Sequence, residues 1–376
     1  MEGEGKKVEL IELFYDLIYV YAISKLTLLM EEPEGGIVTW EMISVYIVFF
    51  LVIVQAWFMM TNYVNRCCTW KWYEYLLLLI NMSAVVALTQ SINHDQEASS
   101  GALLISMTIM TACVIVLYFI KYRENGPQKA YVKNNLITLG LMEAVFAAAL
   151  VLRYMGFEDI AKFIIAVNIL IGLFVPLLNR LGADASCIHF PHLVERMELF
   201  TIIMFGDALI SITGFFNLTN PEPIGVMNFF VIVLMFGSYI CQIYFMCDHH
   251  RVVMAERMCM CHYLIYLAIS LITVAFTYLD EGEVDSMVTA TLMAISMLMF
   301  NMALYATSSY YHDRFSRSTK DLAIRLLISL AGVAIMIGFH DEQYGLAIGA
   351  LLGFGLNFAY SFLKYRSGNI PVKAAM

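Results

Sequence analysis

Charged residues are scarce in this chain: Asp, Glu, Lys and Arg together make up 14% of its 376 residues. A typical soluble domain carries about 25%, and here 61% of the residues are hydrophobic. The sequence also lacks a nucleotide-binding glycine loop, a Ser/His/Asp constellation, a zinc-protease motif and a basic patch for nucleic acid. The low share of charged residues argues against a soluble protein. Because the motifs are missing, we expect neither an enzyme nor a nucleic-acid partner.

Long apolar runs take the place of those features. The chain holds twelve of them, each near the length of about 20 residues that crosses a bilayer as a helix. They cover residues 11–30, 40–62, 73–93, 101–121, 133–153, 159–178, 192–214, 224–247, 262–279, 286–308, 321–339 and 343–363. The pattern predicts an all-α integral membrane protein whose main partner is the lipid bilayer. The first run carries acids and has no small-residue cleavage site, so we expect it to be retained rather than removed as a signal peptide.

Basic residues are spread unevenly along the chain. With twelve spans, both termini and alternate loops share one side of the membrane. All Lys and Arg residues fall near that side except Lys25, Arg153 and Lys162. Arg325, at the start of the eleventh run, is among the residues near the side of the termini. The positive-inside rule therefore predicts cytoplasmic termini, and the net charge of −9 is mainly a difference between the two faces.

Short matches recur in the same order in both halves of the chain. Residues 8–14 read VELIELF and residues 194–200 read VERMELF; residues 54–59 read VQAWFM and residues 241–246 read CQIYFM. Their nearly constant separation predicts a duplicated six-helix unit. Because six is even, the two repeats would enter the membrane from the same side and lie parallel.

The predicted duplication divides the chain into two membrane repeats, residues 1–186 and 187–376. Gln55 and Gln242 fall at equivalent places in the two repeats. Such pseudo-symmetry often puts a site between repeats, so we expect both amides at the interface of the halves, as part of a pathway.

Acids within the apolar runs are the first candidates for functional groups, because a buried charge in a bilayer costs a few kcal/mol or more and faces protein or water. Glu12 and Asp16 are four residues apart and share one helix face. Asp207 and Glu143 are predicted near the middle of the membrane. We interpret Asp16, Asp207 and Glu143 as ligands for a cation or proton on a transport pathway.

The alternative interpretation of these acids is structural. A buried carboxylate could instead pair with Arg196, Lys25 or a tyrosine hydroxyl. Glu12, Glu195 and Glu198 lie nearer the membrane surface, where they either belong to the pathway or cap helices and pair with arginine.

Histidines gather on the predicted cytoplasmic side together with cysteines. His189 and His192 open the second half, and His249 and His250 follow Cys247. These residue types suit a transition metal, although their spacing matches no standard zinc finger. A second interpretation is that they sense pH, since histidine titrates near neutrality. No cofactor is expected.

Two stretches carry a family resemblance. Residues 12–24 (ELFYDLIYVYAIS) and 192–212 (HLVERMELFTIIMFGDALISI) resemble the signatures of the LtrA family, the bacterial low temperature requirement A proteins. The resemblance covers the whole chain, with Asp207 where the family has a glutamate. It assigns six residues to the family pattern: Glu12, Asp16, His192, Glu195, Arg196 and Asp207. The biochemical role of the family is poorly defined, so the resemblance implies little about mechanism.

A shorter stretch is similar to a second family. Residues 13–17 (LFYDL) resemble the Phe-Ser-Asp motif of the endolysosomal and bacterial potassium channels, with Tyr in place of Ser and Leu in place of Gly. Those channels also consist of six-helix units, so the similarity implies a distant common origin.

These features together predict a multi-pass protein of the bacterial cytoplasmic membrane that moves an ion or small solute. The leading hypothesis is cation- or proton-linked transport, with Asp16 and Asp207 as coupling acids. One alternative is a cation channel, with a pore lined by spans 1 and 7 and a homo-oligomeric assembly. Another is a membrane-embedded enzyme or sensor that uses the cytoplasmic His, Asp and Cys residues.

Overall fold

The protein is helical throughout its described length. The computed structural model describes residues 6–31, 33, 36–92, 96–124, 126, 128–178, 188–216, 223–315 and 317–368. Within these ranges the chain forms twelve α-helices and, apart from an isolated antiparallel bridge between Cys247 and Tyr311, no β-structure. The helices are α1 Leu10–Glu31, α2 Trp40–Cys67, α3 Trp72–Ser91, α4 Gln96–Arg123, α5 Lys129–Tyr154, α6 Glu158–Leu178, α7 Phe190–Ser211, α8 Pro223–Tyr239, α9 Glu256–Glu281, α10 Ser286–Ala306, α11 Thr319–Gly338 and α12 Gln343–Gly368.

Most of these helices are suited to a bilayer. Ten of the twelve helices in the described residues are long and apolar enough to cross a membrane. The exceptions are α6, whose apolar segment Phe163–Gly172 is short, and α7, which carries Glu195, Arg196, Glu198 and Asp207. A helix satisfies its backbone hydrogen bonds internally, as lipid requires. The predicted all-α membrane class is therefore confirmed, while the number of spans, their orientation and the duplication stay predictions.

Local sequence sets several helix ends. At the start of α11 the Ser318 hydroxyl accepts a hydrogen bond from the backbone nitrogen of Lys320, and the Asp321 carboxylate accepts one from the nitrogen of Ser318. This capping box satisfies backbone groups that the helix itself cannot reach. Gly156 ends the turn after α5 with φ +84°, a conformation that glycine adopts without steric penalty.

The chain packs as two compact units. Unit 1 comprises Met1–Leu29, Trp40–Phe200 and Val252–Met260, and unit 2 comprises Met30–Thr39, Thr201–Arg251 and Cys261–Met376. The predicted boundary between repeats, at residues 186 and 187, lies outside the described residues. In unit 1, α4 packs against α2, α3 and α5, and α6 packs against α2 and α5. In unit 2, α12 packs against α8, α10 and α11.

Glycines bring α11 and α12 into close contact in unit 2. A Cβ atom added to Gly332 would lie 2.8 Å from the carbonyl oxygen of Gly349 and 3.0 Å from the Cα atom of Gly353. Membrane helices commonly use small residues in this way, because close backbone approach increases van der Waals contact in lipid. The glycines are therefore packing residues.

We expect the substitution Gly332→Ala to lower the free energy of unfolding by about 1–3 kcal/mol, since the added methyl group meets backbone atoms that cannot rotate away. The matched control is Gly338→Ala at the end of the same helix, where a Cβ would have no other atom within 4 Å. Denaturation by SDS in mixed micelles measures both. Equal stability of the two variants would contradict the close contact.

Candidate functional site

The buried face of α1 is polar. Glu12, Tyr15, Asp16 and Tyr19 recur at helical spacing, and each is at most 1% exposed. The opposite face presents apolar side chains to the surroundings, among them Phe14, Leu17 and Tyr21. This reverses the usual arrangement of a soluble helix and places the carboxylates of Glu12 and Asp16 inside unit 1.

Asp16 is held by an arginine and a tryptophan. Arg196 Nη2 forms an ion pair with Asp16 Oδ1, and Arg196 Nε lies 3.4 Å from Asp16 Oδ2. Trp57 Nε1 on α2 donates a hydrogen bond of 2.6 Å to Asp16 Oδ1. The guanidinium also lies 5.5 Å from the Trp57 ring and 5.8 Å from the Tyr15 ring, within the range of a cation–π interaction. Asp16 is therefore paired with Arg196, which is the structural alternative given above for the buried acids.

Glu12 has looser contacts than Asp16. Its Oε2 atom lies 3.3 Å from Arg196 Nη1 and 3.2 Å from His192 Nε2, and its Oε1 atom accepts from the backbone nitrogen of Glu9 at 3.3 Å. The last contact caps the first turn of α1. These distances are at or beyond the upper end of the range for strong charge-assisted bonds, so Glu12 is the less firmly bound of the two acids.

Asn65 determines how His192 is oriented. The Asn65 amide accepts from the backbone nitrogen of His189 at 3.2 Å and donates to its carbonyl oxygen at 2.9 Å, which fixes the positions of the amide oxygen and nitrogen. The same amide nitrogen lies 3.0 Å from His192 Nδ1. Because that nitrogen is a donor, Nδ1 accepts, and neutral His192 carries its proton on Nε2, facing Glu12. His192 therefore donates to the Glu12 carboxylate.

The buried cluster has an uneven charge. With His192 neutral, Glu12 and Asp16 contribute two negative charges and Arg196 one positive charge. A further cation in electrostatic range of Glu12 is Lys6, whose Nζ atom donates to the carbonyl oxygens of Val64 and Asn65 at the end of α2. Lys6 is half-buried, and burial lowers the pKa of its ammonium group. The four buried side chains alone thus lack one positive charge.

Polar side chains continue from the cluster toward the middle of α1. The Tyr15 and Tyr19 hydroxyls both donate to Asn81 Oδ1 on α3, at 3.2 and 2.9 Å. The Asn81 amide nitrogen donates to the carbonyl oxygen of Met110 on α4 at 3.2 Å. This network binds α1, α3 and α4 together in the interior of unit 1.

Comparison with known families identifies the chain. The profile of the bacterial low temperature requirement A protein (LtrA) matches residues 7–354. The chain belongs to the LtrA family. No curated protein and no solved structure matches it. The two stretches that resemble LtrA signatures in the sequence are those that meet in the cluster, through α1 and the first turns of α7.

The other acids predicted as pathway residues are less deeply buried than Glu12 and Asp16. Glu195 is exposed, and Glu198 and Asp207 are half-buried. Asp207 lies one turn before the end of α7 at Ser211, and its depth near the middle of the membrane stays a prediction. Glu143 on α5 is half-buried, and its Oε2 atom has no hydrogen-bond partner among the described residues.

The two predicted glutamines are buried, and each bonds within its own unit. Gln55 Nε2 lies 3.4 Å from the carbonyl oxygen of Ile169 on α6. Gln242 lies in a π-helical segment, Ile240–Phe245, that follows α8; its Oε1 atom accepts from the Tyr311 hydroxyl at 2.9 Å. Both positions therefore connect neighbouring helices inside a unit.

The predicted metal or pH-sensing histidines have different surroundings. His189 and His250 are exposed, and His249 Nε2 contacts the carbonyl oxygen of Ile243 at 2.9 Å. Within the part of the chain that the structure describes, no three His, Cys, Asp or Glu side chains come together as metal ligands. Burial raises the pKa of the Cys68 thiol to about 12, so this cysteine is a poor nucleophile near neutral pH.

Two residues in contact with the cluster were not predicted from the sequence. Trp57 appeared only within the repeat match at residues 54–59, and Asn65 lies in the last turn of α2 without any distinguishing motif. A tryptophan in a membrane run has one donor that must be satisfied when buried, which is the only signal that the sequence offers for Trp57.

Proposed function

We propose that this LtrA-family protein carries out proton- or cation-linked transport of an ion or small solute across the bacterial cytoplasmic membrane, with Glu12 as the acid that exchanges the proton or cation. One observation carries the proposal: four fully buried side chains hold two carboxylates against one guanidinium. A buried cluster with unbalanced charge is unfavourable, and one bound proton or monovalent cation balances it.

The two acids of the cluster take different roles in this proposal. Asp16 accepts from both Arg196 and Trp57 at short range, so it fixes the guanidinium and stays ionised. Glu12 is held at 3.2–3.3 Å by His192 and Arg196, so it can release these contacts and take up a proton. This assigns the exchanging role to Glu12 in place of Asp16.

A route to Glu12 is supported by its position. Glu12 lies in the first turn of α1 and His192 in the first turn of α7. The charged or titratable groups near Glu12 are Lys6, Asp16, Cys68, His192 and Arg196. Lys6 and Cys68 are only partly buried, so a proton or cation from the adjacent solution has a short path to the carboxylate.

The channel alternative meets an obstacle in unit 1. The ion pairs of Arg196 with Glu12 and Asp16, and the hydrogen bond from His192 to Glu12, connect α1 to the first turns of α7. A pore lined by both helices at this level would require these buried pairs to separate, which costs several kcal/mol. For the alternative of an enzyme or sensor at the histidines, the described residues contain no group of three His, Cys, Asp or Glu side chains that could hold a metal.

The test is proton and cation flux in proteoliposomes. One arm imposes a potassium gradient with a protonophore, and a second imposes a membrane potential with valinomycin; an internal pH-sensitive dye reads both. Sodium replaces potassium in a third arm. We expect the wild-type protein to show flux. The flux with Glu12→Gln should be lower by at least about tenfold, since neutral glutamine exchanges no proton.

The matched control is Glu195→Gln, which removes an exposed carboxylate next to Arg196 on α7 and should keep the wild-type flux. Gel filtration of each variant checks folding. Absence of flux in every wild-type arm, or undiminished flux in Glu12→Gln, would count against the proposal. A flux that reaches channel rates and ignores Glu12 would instead favour the channel.

A further inference from the structure

Helix α11 carries a second buried polar face, in unit 2. Asp321, Arg325 and Ser329 follow each other at intervals of four residues and are all buried, with Arg325 only 2% exposed. Other faces of the helix present exposed apolar side chains, among them Leu322, Leu327 and Leu330. A charged guanidinium is thus enclosed by protein in a helix apolar enough to cross the membrane.

The nearby acid is already engaged by other partners. Asp321 Oδ2 forms an ion pair of 2.5 Å with Lys364 Nζ on α12, and Asp321 Oδ1 accepts from the Tyr360 hydroxyl at 2.5 Å. The Asp321 carboxylate also caps α11 at Ser318. One negative charge therefore meets one positive charge before Arg325 is counted, and Asp321 forms no ion pair with Arg325 in the described part of the chain.

Arg325 is left with donors to satisfy. Its Nε and Nη1 atoms are buried and have no hydrogen-bond partner among the described residues. The guanidinium lies 5.3 Å from the Tyr360 ring and within electrostatic range of the Tyr311 hydroxyl and the Cys241 thiol. The Tyr311 hydroxyl donates to Gln242. Ring contact offsets part of the desolvation of a guanidinium, but it leaves both N–H donors unpaired.

We propose that Arg325 is an anion-binding residue whose unpaired guanidinium donors take a small oxyanion, a carboxylate or a phosphate. Arginine cannot lose its charge in a protein, so its burial without a counterion is strongly unfavourable. The Nε–H donor shares one edge of the guanidinium with Nη2, and such an edge matches two oxygens of a carboxylate or phosphate. The net charge of Asp321, Lys364 and Arg325 is one positive charge, which a monovalent oxyanion neutralises.

The surrounding backbone adds a second feature. Gln242 and Cys241 belong to the π-helical segment Ile240–Phe245, and such segments occur frequently at functional sites. The segment places the Gln242 amide against the Tyr311 hydroxyl, which is within electrostatic range of the guanidinium. The inference concerns binding alone and does not depend on the proposed transport activity.

The oxyanion can come from solution or from a lipid headgroup, and two binding experiments on the full-length protein separate these sources. Equilibrium dialysis with radiolabelled inorganic phosphate and with radiolabelled acetate tests soluble anions at constant ionic strength. Thermal unfolding of delipidated protein in nanodiscs of phosphatidylcholine, with and without phosphatidylglycerol, tests the headgroup. We expect binding of at least one of these probes to wild-type protein.

Variants assign the binding to Arg325. Arg325→Gln should weaken binding of the anion by at least about tenfold, because the positive charge and the guanidinium N–H donors are both lost. Arg366→Gln removes an exposed arginine near the end of α12 and should bind as wild type does. Arg325→Lys, which keeps the charge, serves if the glutamine variant does not fold, and it should also bind more weakly. Wild-type protein that binds none of these probes, or Arg325 variants that bind as well as wild type, would overturn the proposal and leave water as the partner of the donors.

Discussion

Replacing Arg196 with glutamine is expected to lower the free energy of unfolding by about 3–5 kcal/mol, because two buried carboxylates lose a fully buried cationic partner. Asp16 and Arg196 are 0–1% exposed on their side chains, so water cannot replace the guanidinium. The loss of ring contacts with Tyr15 and Trp57 adds to the effect. Unfolding by SDS in mixed micelles measures the change.

A double variant separates charge from packing in this prediction. Arg196→Gln combined with Asp16→Asn removes one uncompensated carboxylate together with the guanidinium, so it should be more stable than Arg196→Gln alone. Glu195→Gln, at the adjacent exposed position, should change stability by no more than about 0.5 kcal/mol. If the single Arg196 variant proved as stable as wild type, the buried ion pairs would not exist as described.

The second large effect is expected at Trp57, whose side chain is fully buried. Trp57→Ala should lower the free energy of unfolding by about 3–5 kcal/mol, since it leaves a cavity in the interior of unit 1. It also removes the donor to Asp16 and the ring contact with Phe200, whose centroid lies 4.5 Å away. The variant lacks one of the four tryptophans, so its fluorescence is not directly comparable with that of the wild type. SDS denaturation of both proteins should therefore be followed by circular dichroism.

Trp57→Phe isolates the hydrogen bond within that effect. Phenylalanine keeps most of the ring contact but has no N–H, so the variant should lose about 1–3 kcal/mol, the range for a bond to a charged group. An outcome in which Trp57→Phe matches wild type, while Trp57→Ala is strongly destabilised, would show that Trp57 acts by packing and that Asp16 is held by Arg196 alone.

Much of the architecture follows from the sequence because lipid imposes a simple rule on helix length. Apolar runs near 20 residues predicted the helices, and the observed helices extend past several runs where polar ends continue the turn: α9 begins at Glu256, six residues before the run from 262. The family resemblance is confirmed by the match over residues 7–354. The duplicated organisation has no independent support.

The site was less accessible from sequence, because it depends on contacts between distant residues. Asp16 and Arg196 are 180 residues apart, and only folding decides between a free pathway acid and an ion-paired one. Hydrophobic patterning cannot reveal that Asn65 fixes the tautomer of His192. In the same way, the charge pattern assigned Arg325 to a cytoplasmic helix end and gave no sign that its guanidinium is enclosed by protein.

Glu12 is at once the cap of α1 and the partner of His192 and Arg196. A proton on that carboxylate would weaken its bonds to the Glu9 nitrogen and to the guanidinium in the same event. The chemical state of one side chain is therefore tied to the order of a whole helical turn. Local fraying at the start of α1, followed by amide hydrogen exchange, would then report the occupancy of the site from the backbone itself.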